Sequence, residues 1–318
     1  MNNALKSDTT RKVSVIGLGM VGASFAYSLV QRGLASELVL LDLDHARAEG
    51  EAMDLSHGLP FLQNMNIYAG QDADMAGSAV VVLTAGANQK PGETRLDLLS
   101  KNAAIFKNII PRVLEHAPDA VIVIATNPVD LLTQLSAEYV GLEKGRVIGS
   151  GTTLDTARLR TLLGAHYAVD PRSIHAYIVG EHGNSELPLW STADIGGGPL
   201  EEFTGPNGQG FDRVALEGIF VRVRGAAYEI IQRKGSTYYA IGLSLLAIVE
   251  AVLRDQHTVL TVSSPLIGQC GVSGMSLSLP TVVGRRGIEK VLELPMNEVE
   301  RVGFLESARI LKENYSRV

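Results

Sequence analysis

Two short stretches carry the side chains best suited to chemistry. Residues 180–183 read Gly-Glu-His-Gly, and residues 155–158 read Asp-Thr-Ala-Arg. Together they offer a histidine held between glycines, an aspartate that can orient it, and an arginine that can hold a carboxylate. Hydride transfer to or from a 2-hydroxy acid needs these three groups, because a proton must move at the oxygen while the acid is held in place.

The spacing of these residues supports that chemistry. Asp155 and Arg158 are three residues apart, so a helix places both on one face. Arg158 can bind a carboxylate through two parallel hydrogen bonds. Asp155 can accept a hydrogen bond from one ring nitrogen of His182 and raise its proton affinity, which leaves the other nitrogen to exchange a proton with substrate. Taken singly, the aspartate–arginine pair is typical of a surface salt bridge, and a lone turn histidine is often structural.

A glycine-rich turn near the start of the chain predicts where a hydride carrier binds. Gly17-x-Gly19-x-x-Gly22 follows an apolar run and opens a helical stretch, the arrangement that brings a pyrophosphate to a helix N-terminus. Asp42 lies about 20 residues further on, where a carboxylate can bind both ribose hydroxyls. The same carboxylate repels a 2′-phosphate, so the sequence favours NAD over NADP. The alternatives without a cofactor are a glycine turn needed only for packing and an aspartate that is simply exposed at a strand end.

The elements that position these residues form two parts. Short apolar runs alternate with helical stretches up to about residue 150, which predicts an α/β fold with a Rossmann-type doubly wound parallel sheet. A mixed α+β catalytic domain is expected to follow. We therefore predict a dinucleotide-binding domain over residues 10–150 and a catalytic domain over residues 151–318. The expected strands are 12–16, 38–43, 79–83, 120–125, 146–148, 175–179, 258–267 and 276–283.

Two further segments lie at the predicted carboxyl edge of the sheet. The polar stretch 86–95 follows a strand and contains Gln89 and Arg95, so it reads as a loop that can close over a ligand. In isolation such a stretch is more often a solvated connection. Asn127 ends another strand at the same edge and offers an amide to a substrate or a nicotinamide.

Composition narrows the class of protein. The chain has 318 residues, a net charge of −6 and one cysteine, Cys270. The charge argues against nucleic acid as a partner, and the single cysteine excludes an internal disulfide and a Cys-rich metal site and suits a reducing compartment. No apolar run reaches the length of a membrane span, and residues 1–10 do not read as a signal peptide. We expect a cytoplasmic protein without a metal or membrane site.

With these motifs in order, the chain resembles the lactate/malate dehydrogenase family, in particular its bacterial lactate branch. The resemblance runs from about residue 12 to the C-terminus. It is carried by GLGMVG, LLDLD, TAGANQKPGETR, ATNPVD, GSGTTLDTARLR, HAYIVGEHG and KGSTYYAIG, of which TAGANQKPGETR and GEHG are the most specific. It implies a cytoplasmic homotetramer of fermentation and glycolysis that interconverts pyruvate and L-lactate with NAD.

The resemblance also implies residue roles. His182 is the expected proton donor, Asp155 its orienting partner, Arg158 the carboxylate ligand, and Arg95 the group that polarises the reacting carbonyl. Asn127 and Thr237 are expected to line the substrate pocket with Gln89. The expected cofactor groove consists of Gly17, Gly19, Val21, Gly22, Asp42, Arg47, Tyr68, Gly86, Ala87, Ala125, Asn127 and Ser150.

Gln89 separates the two branches that the resemblance leaves open. Malate dehydrogenases of this fold carry an arginine there for the second carboxylate of their substrate, whereas a neutral amide suits the methyl group of pyruvate. A non-catalytic NAD-binding protein is a third alternative, but it needs none of Arg95, Asp155, Arg158 and His182. NAD-dependent glycosidases of related fold need a metal site, and the sequence shows no clear one.

Arg160 and His175 match positions that bind fructose 1,6-bisphosphate in allosteric bacterial members of the family. Arg160 is two residues past Arg158, so it points away from the catalytic face of the same helix. An effector site is therefore expected at this pair. A salt bridge between subunits, without any effector, is the alternative.

Overall fold

The computed structural model describes residues 11–87 and 95–317, without the side chains of Arg95, Leu96 and Glu143. Fourteen strands and eight helices are assigned in these ranges. The strands are β1 Lys12–Ile16, β2 Glu37–Leu41, β3 Asn66–Ala69, β4 Val80–Leu83, β5 Val121–Ile124, β6 Val147–Gly149, β7 Ile174–His175, β8 Ile178–Val179, β9 Leu187–Pro188, β10 Asp194–Ile195, β11 Gly198–Pro199, β12 Thr258–Ile267, β13 Ser273–Gly284 and β14 Gly287–Val291. The helices are α1 Met20–Arg32, α2 His45–His57, α3 Arg95–His116, α4 Val129–Val140, α5 Thr153–Tyr167, α6 Arg213–Lys234, α7 Tyr239–Leu253 and α8 Glu298–Tyr315.

Nine of these strands form one sheet in the order β14-β13-β12-β6-β5-β4-β1-β2-β3. The strands from β6 to β3 in this order are parallel, as predicted for a doubly wound fold. Their side chains alternate between two buried faces: Val80 and Val82 pack towards α1 and α7, and Val81 and Leu83 pack towards α3 and α4. Burial on both faces explains why these runs are apolar throughout.

The sheet does not stop at the predicted domain boundary. The three antiparallel strands β12–β14 extend it, and the pairing of Ser263 with Gly149 joins β12 to β6. The division at residue 150 therefore stays a prediction, although the mixed α+β character of the second part is confirmed.

The predicted strand over residues 175–179 is two shorter strands. β7 pairs with β10, whereas β8 pairs with β9 in a different small sheet, so the chain changes partner between them. β8 leads directly into the Gly-Glu-His-Gly turn, and the bridge between Gly180 and Ser278 fixes the start of that turn against β13. Within the described ranges, no helix is both long and apolar enough to cross a membrane.

Candidate active site

The residues predicted to bind a cofactor follow successive parallel strands and so meet at one edge of the sheet. Gly17 follows β1, Asp42 follows β2, Gly86 follows β4, Asn127 follows β5 and Ser150 follows β6. This is the carboxyl edge, where doubly wound proteins bind their ligands.

The glycine turn has the shape of a phosphate cradle. Gly17 has φ of +96°, and a Cβ atom there would overlap Ala85. A Cβ at Gly22 would overlap the carbonyl oxygen of Gly17, so only glycine allows α1 to pack this close to β1. Gly19, by contrast, caps α1 in open space, and no acidic side chain occupies the first turn of that helix. The exposed amides at this helix N-terminus fit a pyrophosphate.

Asp42 is fixed beside this turn. Its Oδ2 atom accepts a hydrogen bond from the Leu18 amide at 2.6 Å, and its Oδ1 atom accepts one from the Asp44 amide at 3.0 Å. The carboxylate thus lies where the glycine turn and the end of β2 meet. That position suits a ribose diol and opposes a 2′-phosphate.

Sequence reasoning missed Asn102, which ties the edge together from α3. Its side chain is buried; Oδ1 accepts from the Ala87 amide at 2.7 Å, and Nδ2 donates to the Asn127 carbonyl at 2.7 Å. One amide therefore sets the spacing between the ends of β4 and β5. A single asparagine inside a helix carries no sequence signal for this, because both partners are backbone groups.

Several other residues predicted to bind the cofactor also lie at this edge of the sheet, but Tyr68 and Arg47 do not lie beside them. Val21 and Ala125 are half-buried near the glycine turn and the end of β5, and Ser150 is buried and bonded through its amide to Ile124. The Tyr68 hydroxyl donates to Glu37 Oε1 at 2.6 Å. Glu37 begins β2, so Tyr68 is directed towards the opposite end of the sheet. Arg47 lies on the exposed first turn of α2, and its role in cofactor binding stays a prediction.

The chemical site consists of three linked side chains. Asp155 Oδ2 lies 2.5 Å from His182 Nδ1, and Asp155 Oδ1 accepts from Arg158 Nη1 at 2.6 Å. Asp155 and Arg158 occupy the first two turns of α5, as their spacing predicts. Asp155 is buried, whereas 15% of the Arg158 side chain and 26% of the His182 side chain remain exposed. Asp155 therefore holds both groups from behind while their outer faces remain accessible.

The backbone of the histidine turn is held from two further helices. The His182 amide donates to Asp130 Oδ2 of α4 at 2.8 Å, and the Glu181 amide donates to Ser307 Oγ of α8 at 2.8 Å. Neither residue was singled out by sequence reasoning. Asp130 lies inside the ATNPVD motif, and that position was the available signal for it.

The protonation of His182 follows from these neighbours. Burial lowers its pKa, but the charge and hydrogen bond of Asp155 outweigh burial, and with Asp130 and Glu186 they raise the pKa to about 9. Burial acts to raise the pKa of Asp155, yet His182 and Arg158 hold it below its ordinary value. At neutral pH the pair is therefore imidazolium and carboxylate, which suits His182 to give a proton to a substrate oxygen.

A cavity of about 300 Å³ lies against these side chains. Its lining includes four residues predicted for the site: Asn127, Asp155, Arg158 and His182. The last three were predicted from the chemistry of the substrate, and Asn127 from its place at the end of a strand. Sequence reasoning missed Glu186, Arg224 and Tyr228, which also line it. Thr237 precedes α7, is half-buried, and is not among the described residues around the cavity.

Two of the predicted substrate ligands cannot be placed. Gln89 lies outside the described residues, and Arg95 begins α3 but its side chain is not described. The described residues on both sides of segment 88–94 do lie at the site. Ala87 is held by Asn102, and Leu98 and Leu99 of α3 line the cavity.

The predicted effector pair lies away from the cavity. Arg160 Nε donates to the carbonyl of Ala176 at 3.1 Å, and its guanidinium lies over the Tyr177 ring at 5.1 Å. His175, the residue before Ala176, is exposed on β7 opposite Asp194. Arg160 therefore lies beside the strand that carries His175, and neither residue lines the cavity.

Comparison with known proteins is consistent across the whole chain. Residues 11–149 match the model of the lactate/malate dehydrogenase NAD-binding domain, and residues 152–318 match that of the lactate/malate dehydrogenase alpha/beta C-terminal domain. The L-lactate dehydrogenase of Thermoanaerobacter pseudethanolicus is 50% identical over 301 residues, which cover 95% of this chain and 97% of the relative. That of Acetivibrio thermocellus is 47% identical over 313 residues, 98% of each chain.

Solved structures agree with the sequence relatives. The minor L-lactate dehydrogenase from Enterococcus mundtii, in a ligands-bound form, superposes with a TM-score of 0.93 at 41% identity and covers 97% of this chain and 98% of its own. A lactate dehydrogenase from a deep-sea metagenome library gives a TM-score of 0.92 at 42% identity, covering 96% and 98%. The predicted resemblance, fold class and NAD cofactor are confirmed.

Proposed function

This chain belongs to the lactate/malate dehydrogenase family and is an NAD-dependent oxidoreductase, and from that premise we propose that it interconverts pyruvate and L-lactate at the His182 cavity. One observation carries the assignment to this cavity. His182 and Arg158 are bonded to opposite oxygens of the same buried Asp155 and both line the one space. A proton donor and a carboxylate ligand are thus fixed relative to each other.

Each side chain then has a defined task in the reduction of pyruvate. Arg158 holds the substrate carboxylate; its bond to Asp155 uses one of five guanidinium N–H groups. His182 gives its proton to the carbonyl oxygen, and Asp155 stabilises the imidazolium and fixes its ring. We assign Arg95 to polarise the carbonyl from segment 88–95. The glycine cradle and Asp42 would hold NADH, which would supply the hydride.

Gln89 supports pyruvate rather than a dicarboxylate as the substrate. A neutral amide leaves a second carboxylate unpaired in a closed site, which is costly. The curated relatives with about half of their residues identical carry the name L-lactate dehydrogenase, in agreement with this choice. A non-catalytic NAD-binding protein has no need of the Asp155–His182–Arg158 arrangement.

Rates of NADH oxidation test the proposed function directly. Pyruvate is expected to give the highest kcat/KM, 2-oxobutyrate a lower value, and oxaloacetate the lowest, with NADPH a poor substitute for NADH. The measurement is the loss of NADH absorbance with each acid at matched concentrations. A higher kcat/KM with oxaloacetate would assign the chain to the malate branch, and no turnover with any 2-oxo acid would remove the function.

We further propose that Arg160 and His175 bind fructose 1,6-bisphosphate between subunits of a homotetramer in the cytoplasm. The hydrogen bond from Arg160 Nε to the carbonyl of Ala176, the residue after His175, supports the pair. Exposed apolar side chains on α1 and α7 (Met20, Tyr27, Tyr239 and Leu243) support assembly with further copies. A bisphosphate that binds the active assembly better than the inactive one shifts the population towards it.

Pyruvate saturation curves with and without millimolar bisphosphate test the effector. The apparent KM for pyruvate is expected to fall about 5- to 150-fold. The double variant Arg160→Gln, His175→Gln should lose this response and keep its turnover at saturating pyruvate. Arg172→Gln, which removes an exposed arginine three residues before His175, is the matched control. Superimposable curves for the parent with and without bisphosphate would leave the pair without an effector.

A further inference from the structure

A further carboxyl group lines the catalytic cavity and has no part in the proposed transfer of the proton or the hydride. Glu186 follows the histidine turn, is 5% exposed, and lines the cavity. One of its oxygens, one of Asp155 and one ring nitrogen of His182 lie within 4.8 Å of one another. Its Oε1 atom is fully buried, with no hydrogen-bond partner among the described residues.

Two carboxylates this close and this buried do not both ionise readily, so the proton goes to the one with fewer stabilising partners. Asp155 has His182 and Arg158 as hydrogen-bonded partners, and these hold its pKa low. Among the described residues, Glu186 Oε1 has no hydrogen-bond partner. Burial, and then the charge of Asp155, raise the pKa of Glu186 to about 8. The protonated acid is therefore its form at neutral pH.

The charged groups around Glu186 come from each neighbouring element. Asp155 and Arg158 face it from α5, His182 and Glu181 from the turn, and Arg224 from α6. Asp130 of α4 lies behind His182. The hydrogen-bonded group of Arg158, His182 and Asp155 carries two positive charges and one negative charge, and Arg224, Glu181 and Asp130 surround it. An ionised Glu186 would add a further negative charge within 4.8 Å of His182, where it would repel an anionic substrate.

We propose that Glu186 is a further positioning residue of this reaction: it keeps a proton so that the cavity accepts an anionic 2-oxo acid, and its ionisation at alkaline pH closes the cavity to that substrate. The proposal rests on the proposed function only for the identity of the anion. It makes substrate binding depend on two protons, one on His182 and one on Glu186, where a single acid–base group would require only one.

Proton uptake on binding of oxamate, an inert analogue of pyruvate, distinguishes the two cases. Calorimetry in buffers of different ionisation enthalpy, from about pH 6.5 to 10 with NADH bound, gives the number of protons taken up per site. For the parent this number is expected to exceed one above about pH 9, and affinity to fall more than about tenfold per pH unit. Glu186→Gln should keep near-parent affinity at pH 6.5 and never take up more than one proton.

The control and the contradicting results are equally specific. Glu202→Gln changes an exposed carboxylate of the same domain and should leave the curve of the parent unchanged. A parent that takes up no more than one proton at any pH overturns the proposal. So does a Glu186→Gln variant whose oxamate affinity at pH 6.5 is more than about tenfold weaker, because a neutral amide should replace a neutral acid.

Infrared spectroscopy of the unliganded protein separates this proposal from the proposed function. A protonated-carboxyl C=O band present at pH 7, lost as pH rises past about 9 and absent in Glu186→Gln, is expected even in a protein that fails to reduce pyruvate. If that band is the same in parent and variant, Glu186 is ionised at pH 7 and the proposal is wrong. If the band behaves as expected but oxamate does not bind, the proposed function is wrong and the acid at Glu186 stands.

Discussion

Replacement of Asp155 with asparagine is expected to lower the turnover of pyruvate at pH 7 about 10³-fold and to move the pH limit of oxamate binding downwards. General acid–base catalysis by a positioned group contributes roughly 10²- to 10⁴-fold, and this change removes the group that both orients His182 and keeps it charged. No other substitution in the described site removes both effects while conserving shape.

The direction of the pH change follows from the forces on His182. In the parent, Asp155 outweighs burial and the pKa of His182 is about 9, so the protonated form that binds oxamate persists to alkaline pH and is lost above that value. In the variant, burial still lowers the pKa and its main opponent is gone. Oxamate affinity should then already fade below neutral pH.

Oxamate dissociation constants between about pH 5 and 10, together with single-turnover rates, test this expectation. The pH midpoint is the decisive quantity, because Arg158 also loses a partner in the variant and its altered binding changes affinity at every pH. Asp170→Asn is the matched control: it removes an aspartate that is paired with an arginine on the surface of the same domain. A midpoint unchanged by Asp155→Asn would contradict direct control of the proton by the 2.5 Å contact.

Gln89→Arg is expected to shift the ratio of kcat/KM for oxaloacetate over pyruvate by about 10³-fold or more. The new guanidinium pairs with the second carboxylate of oxaloacetate, whereas with pyruvate it is left buried and unpaired, at a cost of about 3–5 kcal/mol. Leu98 and Leu99, which follow this segment on α3, line the cavity, and Ala87, which precedes it, is bonded to Asn102 at the sheet edge; both observations support the assignment of Gln89 to the pocket.

Steady-state kinetics with both acids measure the shift. Gln232→Arg adds the same charge on the exposed surface of α6 and should leave the ratio unchanged, so any general effect of net charge is separated from one in the pocket. A Gln89→Arg enzyme with the preference of the parent would remove Gln89 from the substrate pocket.

The sequence predicted those features that depend on local pattern. The apolar run in 79–83 has apolar side chains on both faces of a strand, and both faces are buried when the strand lies between two layers of helices. This pattern predicted the parallel sheet. The glycine spacing at 17–22 reflects close packing that any Cβ would prevent. The placement of Asp155 and Arg158 on one face of a helix was equally predictable, because residues three apart are neighbours on a helix surface.

Features that depend on distant partners were not predictable in this way. α2 has a narrow apolar stripe, Ala48, Ala52 and Leu55, and β3 and β14 are short, so none has a strong pattern of its own. The contacts of Asn102 and Asp130 are made to backbone groups, which any sequence can supply. Glu186 acquires its importance from Asp155, which the fold brings close although it lies 31 residues earlier in the chain (186 − 155).

The pairing of β6 with β12 also has a consequence for folding during synthesis, because β12 is made long after β6. Ser263 emerges from the ribosome 114 residues after its partner Gly149 (263 − 149), roughly 6–23 s later at translation rates of about 5–20 residues per second. Through that interval the nascent N-terminal half holds the complete parallel sheet but leaves the outer edge of β6 uncovered. An open edge of this kind pairs readily with strands of neighbouring chains. Until β12 is synthesised, the edge of β6 is therefore exposed to aggregation and chaperone binding.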